Sequence, residues 1–136
     1  MIKIERPPNF DRILSAFPDA GHHGILFAYG GDVYNPSDVV IPSWLLAHEY
    51  RHCARQWQSD PDAWWEKYIT DDEFRYEEEL LAHAEEYVWQ ALRVKDRNAR
   101  ARLEMRTAAR LVAPLYNYAP PRSLAQAIRD IHKLAH

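Results

Sequence analysis

The chain has 136 residues, 47% of them hydrophobic and 27% charged, which suits one globular domain with one core and leaves no room for two. Its net charge of −3 excludes a general attraction to nucleic acid or to an anionic membrane surface. The single cysteine, Cys53, excludes an internal disulfide and reads as a small apolar residue on a core face.

The first eight residues are extended and have no apolar run like that of a secretion signal, so the expected location is the cytoplasm. Residues 10 to 17 form a short helix stopped by Pro18, and His22 and His23 follow in a Gly-flanked loop where both should be exposed. Ile25-Leu26-Phe27-Ala28-Tyr29 and Val33-Tyr34 are β-like, and Gly30-Gly31-Asp32 supplies a turn, which predicts a small two-stranded sheet. The apolar stretch 39 to 47 is broken by Pro42 and Ser43 and is too short to span a bilayer. Ser43 is placed as the N-cap of a helix over residues 44 to 57, which Ser59-Asp60-Pro61 closes.

That helix contains His48-Glu49-Tyr50-Arg51-His52, an HExxH pentapeptide. At about 100° per residue, His48 and His52 fall roughly 40° apart, so both imidazoles can reach one metal ion. Glu49 lies one residue on, placed to act as a general base and turned too far to be a third ligand in the same plane. On the same count Leu46, Tyr50, Cys53 and Trp57 form the buried side, and the His/Glu stripe borders it.

Asp60-Pro61 then opens a short helix carrying Trp64 and Trp65. Thr70-Asp71-Asp72-Glu73 reads as a capping box at the start of a long helix over residues 71 to 95. With Glu79 as origin, His83, Glu86 and Gln90 all fall within about 40° of it, a polar stripe with apolar flanks. Glu79 is therefore the candidate third ligand. Glu78 and Glu85 should face solvent, while Glu77 points into an apolar arc of Leu81, Ala84 and Val88 and is the main competitor.

A further helix spans residues 97 to 113, residues 115 to 121 form a loop, and Ser123-Leu124-Ala125-Gln126 is a capping box opening a terminal helix. Eleven acidic residues crowd between positions 59 and 86, and seven basic ones between 93 and 110. Both runs read as solvated helix faces. His132 and His136 have metal-ligand spacing in the terminal helix, but no acid or cysteine accompanies them there and they receive no role.

An HExxH helix followed some tens of residues later by a helical Glu79-Leu80-Leu81-Ala82-His83 resembles the gluzincin class of zinc peptidases, and the small size resembles the minigluzincins. The wider run from Phe27 through Asn35-Pro36, Gln56, Trp64-Trp65 and Phe74-Arg75 is similar to a group of small metallopeptidases of bacteriophages and prophages. His83 departs from the Asp or Asn that many gluzincins carry four residues after the ligand glutamate. The resemblance implies an α+β, mostly helical, zincin-like fold over residues 1 to 136. It implies Zn²⁺ on His48, His52 and Glu79, with Glu49 as general base. Residues 25 to 34 would be a cleft wall that pairs with an extended peptide. Zincins also need a group to hold the developing oxyanion, and Tyr116 is the nominee. The expected partner is a peptide or protein substrate, with phage or host proteins beyond it, and neither nucleic acid nor membrane. A phage product would lie in the host cytoplasm or in a virion. The alternatives are a phage structural or assembly protein on the same scaffold, and a nucleic-acid module using the Arg-rich helix.

Overall fold

A computed structural model describes all residues 1–136. It is mostly helical, α+β in class, with six helices and a small mixed sheet near the N-terminus. The elements run β1 (Ile2–Lys3), α1 (Phe10–Ala16), β2 (Phe27–Tyr29), β3 (Asp32–Tyr34), α2 (Ser43–Gln56), α3 (Pro61–Thr70), α4 (Asp72–Ala91), α5 (Arg97–Leu111) and α6 (Leu124–Ala135). No helix is long and apolar enough to cross a membrane.

The sheet has three strands, in the order β1-β3-β2, where the sequence predicts two. β2 and β3 form the expected antiparallel hairpin, turned at Gly30, whose φ of 62° favours glycine. β1 pairs parallel with β3, Ile2 opposite Val33, and two residues are too few to show a strand pattern.

Local capping sets most helix starts. The side chains of Asp60, Asp71, Asp96 and Ser123 accept from the backbone N–H groups of Ala63, Phe74, Ala99 and Gln126. Two expected caps move. The α4 cap is Asp71, because the Thr70 hydroxyl donates back to the Glu66 carbonyl and closes α3. The α2 cap position is Pro42, with no side-chain bond, because the Ser43 hydroxyl accepts from Trp89 Nε1 of α4.

Two large apolar clusters hold the molecule, and a third, small one joins Ala28 and Val33 of the sheet to Cys53 of α2. One large cluster gathers Phe10, Ile13, Phe17, Phe27, Trp64 and Tyr68 with their neighbours, and the other Tyr76, Tyr87, Leu103, Leu111, Tyr118 and Ile131 with theirs. α4 is the central helix, packed against α2, α3, α5 and α6. No residue of α2 belongs to either large cluster. Its buried positions are His48, Glu49, His52, Cys53 and Gln56. The expected burial of this helix is thus corrected: Tyr50 and Trp57 are exposed, and the His/Glu stripe is itself the inward face.

Arg75, 3% exposed, ties α4 to its surroundings. It donates to the carbonyls of Tyr68 (2.8 Å), Tyr116 (2.8 Å) and Asn117 (3.2 Å), and it pairs with Asp72. It thereby fixes the segment carrying Tyr116. Arg75→Met is expected to lower stability by about 1–3 kcal/mol, since it leaves the carbonyls of Tyr68, Tyr116 and Asn117 without their donor. Urea unfolding monitored by tryptophan fluorescence checks this, and a loss below about 1 kcal/mol would contradict it.

Candidate metal centre

α2 and α4 bring His48, His52 and Glu79 to one point, with their donor atoms all within 4.8 Å of one another and all three side chains buried. His48 Nε2 lies 3.3 Å from Glu79 Oε1, and His52 Nε2 lies 3.1 Å from Glu79 Oε2. Neither pair has hydrogen-bond geometry, and Glu79 Oε1 has no hydrogen-bond partner at all. Donors around a tetrahedral zinc ion at its usual bond lengths stand roughly 3.3 Å apart. The spacing and the orphaned carboxylate oxygen therefore both fit a shared ion. Two imidazoles and a carboxylate suit zinc and related transition metals, so the group could hold a metal ion whose identity the geometry leaves open.

The surroundings orient the donors. His48 Nδ1–H donates to Glu86 Oε1 at 3.1 Å, which turns Nε2 toward Glu79. Glu86 is held in turn by Arg110. Tyr68 donates its hydroxyl to Glu79 Oε2 at 2.6 Å. His83 donates from Nδ1 to the Glu79 carbonyl at 2.7 Å and packs edge-on against His48, with ring centroids 4.6 Å apart. His52 Nδ1 has no partner, and its ring is set by Trp64 and Tyr68. A second group, His48, His83 and Glu86, also comes together. Both oxygens of Glu86 are already engaged, by His48 and Arg110, whereas Glu79 keeps a free one. The Glu79 group is the better metal site.

Electrostatics agree. Burial opposes a charge on His48, but the carboxylates of Glu79 and Glu86 outweigh it and push its pKa up to about 10. Burial also opposes charge on Glu79, yet His52 and His48 hold its carboxyl well below the ordinary range. Burial, then the charge on His48, pushes His83 down to about 4, so it stays neutral. Burial raises Glu49 despite the two histidines beside it. Glu49 makes no hydrogen bond or ion pair within the chain and lines the cavity that opens onto the triad.

That cavity has a volume of about 360 Å³ and is mainly apolar, with Phe27, Leu45, Trp64 and Leu115 among its walls. Tyr116 lines it too, its ring 5.8 Å from that of His83. Residues 24 to 28 form one side.

The placement of the two glutamates before Glu79 needs correction, while Glu85 is exposed as expected. Glu78 is buried, accepting from Trp64 Nε1 (2.8 Å) and Arg55 Nε (2.9 Å), and Glu77 is exposed. α4 is covered along two sides, by α2 and α3 and by α5 and α6, so its solvent strip is narrow and falls on Glu77, Glu85 and Val88. Tyr68 and Arg110 are site residues the sequence reading misses. Tyr68 had a faint signal, a polar-tipped aromatic one turn after Trp64. Arg110 is hidden among the basic residues of α5. His22 and His23 are exposed and apart from the site.

No family model matches the chain, and neither a curated protein nor a solved structure matches it.

Glu79→Gln is expected to abolish tight zinc binding, whereas Glu77→Gln leaves it unchanged. Glu78→Gln should keep the metal while costing about 1–3 kcal/mol of stability. Zinc titration and urea unfolding of the three variants check this, and equal metal loss from Glu77→Gln would contradict it. A second outcome follows from His48. Its pKa is raised from 6.5 to about 10, so its stabilising charge is full below 6.5 and is lost as pH rises through about 10. A metal must displace that proton. Loading zinc at about pH 8, where ordinary imidazoles are neutral, should release at least one proton. Titration heats that do not vary with buffer ionisation enthalpy would contradict this.

Proposed function

We propose that this protein is a zinc-dependent hydrolase of peptide bonds with a zincin-like, minigluzincin-type active site. The observation that carries the reading is Glu49. It is a buried carboxylate with no partner of its own, at the cavity wall beside His48, His52 and Glu79. A metal kept only to join α2 to α4 needs no such group.

His48, His52 and Glu79 would hold the zinc ion. Bound there, zinc supplies Lewis acidity toward a carbonyl and toward an attacking water. Glu49 takes the proton from that water and passes it to the leaving nitrogen, and the burial that raises its pKa makes it a better proton acceptor. Tyr116 donates a hydrogen bond to the carbonyl oxygen as negative charge develops. Its phenol stays protonated, because burial and then Glu79 hold its pKa well above the usual tyrosine range. Tyr68 holds Glu79 in place, and Glu86 with Arg110 holds His48.

β2 favours a peptide as the substrate. It lies at the edge of the sheet, and neither residues 115 to 121 nor α6 pairs with it. Gln56 caps the turn end of this edge: its Nε2 donates to the Ala28 carbonyl and its Oε1 accepts from the Gly30 N–H. Trp65 Nε1 also donates to the Ala28 carbonyl. In an antiparallel strand the N–H and C=O of one residue point to the same side. The Ala28 N–H therefore faces the outer edge with no strand partner, and an extended backbone would pair there, next to residues whose own N–H groups, Gly24 and Ile25, are bonded to Ser37 and His22.

Glu49→Gln is expected to keep the metal and lose roughly 10²–10⁴-fold in hydrolysis. Tyr116→Phe should lower kcat with little change in KM. Cleavage of a mixed peptide library by zinc-loaded protein, read by mass spectrometry, checks both. Wild-type protein that is fully loaded and still inert would overturn the hydrolase reading.

A further inference from the structure

We propose that Glu104, His132 and His136 form a second transition-metal site, one that fastens the end of α6 to α5. His132 and His136 are four residues apart, so α6 carries both rings on one face, their centroids 4.3 Å apart. The acid that α6 lacks comes from α5. His132 Nδ1 lies 3.1 Å from Glu104 Oε1, and His136 Nε2 lies 3.3 Å from Glu104 Oε2. The three donor atoms fall within 4.8 Å of one another. These are the donor types and spacings of the buried triad, assembled again about the C-terminal cluster.

The carboxylate is what makes this more than two surface histidines. Glu104 is 9% exposed, and its ion-pair partners are these histidines alone, with no lysine or arginine within 4.0 Å. Its oxygens accept from His132 Nδ1 at 3.1 Å and from His136 Nε2 at 3.3 Å, and a divalent ion bound by all three side chains would take the place of those two protons and bring its own positive charge. Two ring nitrogens and one oxygen select Zn²⁺, Cu²⁺ or Ni²⁺ over Mg²⁺ and Ca²⁺, which prefer all-oxygen sets. Both histidines are exposed, so solvent completes the coordination and the ion exchanges freely.

The consequence is mechanical. α6 is anchored in the core by Ala127 and Ile131 and by Tyr76, whose hydroxyl donates to Asp130. Its last turn is held more lightly, by Ala135 against the cluster, by the Tyr87 ring on His136 and by the two histidines on Glu104, and Leu134 is half exposed. An ion shared with Glu104 pins that turn to α5. Because the unfolded chain does not hold the three groups together, the ion stabilises the folded state.

The test uses the full chain without a histidine tag, titrated with zinc chloride by equilibrium dialysis. Wild type should bind one equivalent more than the His132→Ala/His136→Ala double variant. This difference holds whatever the Glu79 site binds. Glu104→Gln should weaken the second equivalent by at least the roughly 10–100-fold that loss of an outer partner alone costs. Sub-stoichiometric Cu²⁺ should broaden the amide resonances of residues around 104 and 132 to 136 in wild type, and not in the double variant. Equal zinc stoichiometry in wild type and double variant, or broadening that survives the double substitution, would overturn the proposal.

Discussion

The carboxylate of Glu79 is buried between two imidazoles, and the packing of α2 on α4 depends on satisfying it. An isolated charge in that position costs several kcal/mol. Here the cost is offset by a chain of partners: Tyr68 on one oxygen, the histidines on either side, and Glu86 with Arg110 behind His48. α2 adds nothing to the two larger apolar clusters; it is attached by this polar seam, by Gln56 against β2, and by a small apolar contact of Cys53 and Leu46 with Ala28 and Val33. A divalent ion would complete the seam, because it would meet the one carboxylate oxygen that has no hydrogen bond.

The rest of the fold holds this seam steady. The aromatic cluster around Trp64 and Tyr68 fixes α3, which carries the hydroxyl that Glu79 accepts. Arg75 links α4 to the segment that carries Tyr116, and Asn117, at φ 50°, turns the chain just beyond it. Stability and the candidate metal centre thus both draw on α4, one face of which meets α2 while another meets α5 and α6. The two His/His/Glu groups differ mainly in burial. One is closed except toward a cavity that holds a spare carboxylate. The other opens to solvent and has no such group, which suits a fastening role rather than a catalytic one.

Much of the arrangement was legible in the sequence where the information is local. The i, i+4 spacing places His48 and His52 on one face. The helical count puts Glu79 on a stripe with His83 and Glu86, and the caps at Asp60 and Ser123 are where their residue types suggest. Distant contacts were not legible. Glu78 looks solvent-facing from its own helix and is buried because Arg55 and Trp64 arrive from two other helices. Arg110 looks like one of a basic series until α5 packs beside Glu86. Glu104 joins His132 and His136 only through the α5–α6 pairing. β1 is too short to carry a pattern.

The most direct test of the central claim is the anomalous difference map at the zinc edge from crystals of tag-free protein grown with zinc. The account requires a peak bounded by His48 Nε2, His52 Nε2 and Glu79, at bond distances of about 2.0–2.2 Å. Crystals that take up zinc elsewhere but show no peak there, with Glu79 bonded only to protein, would contradict it.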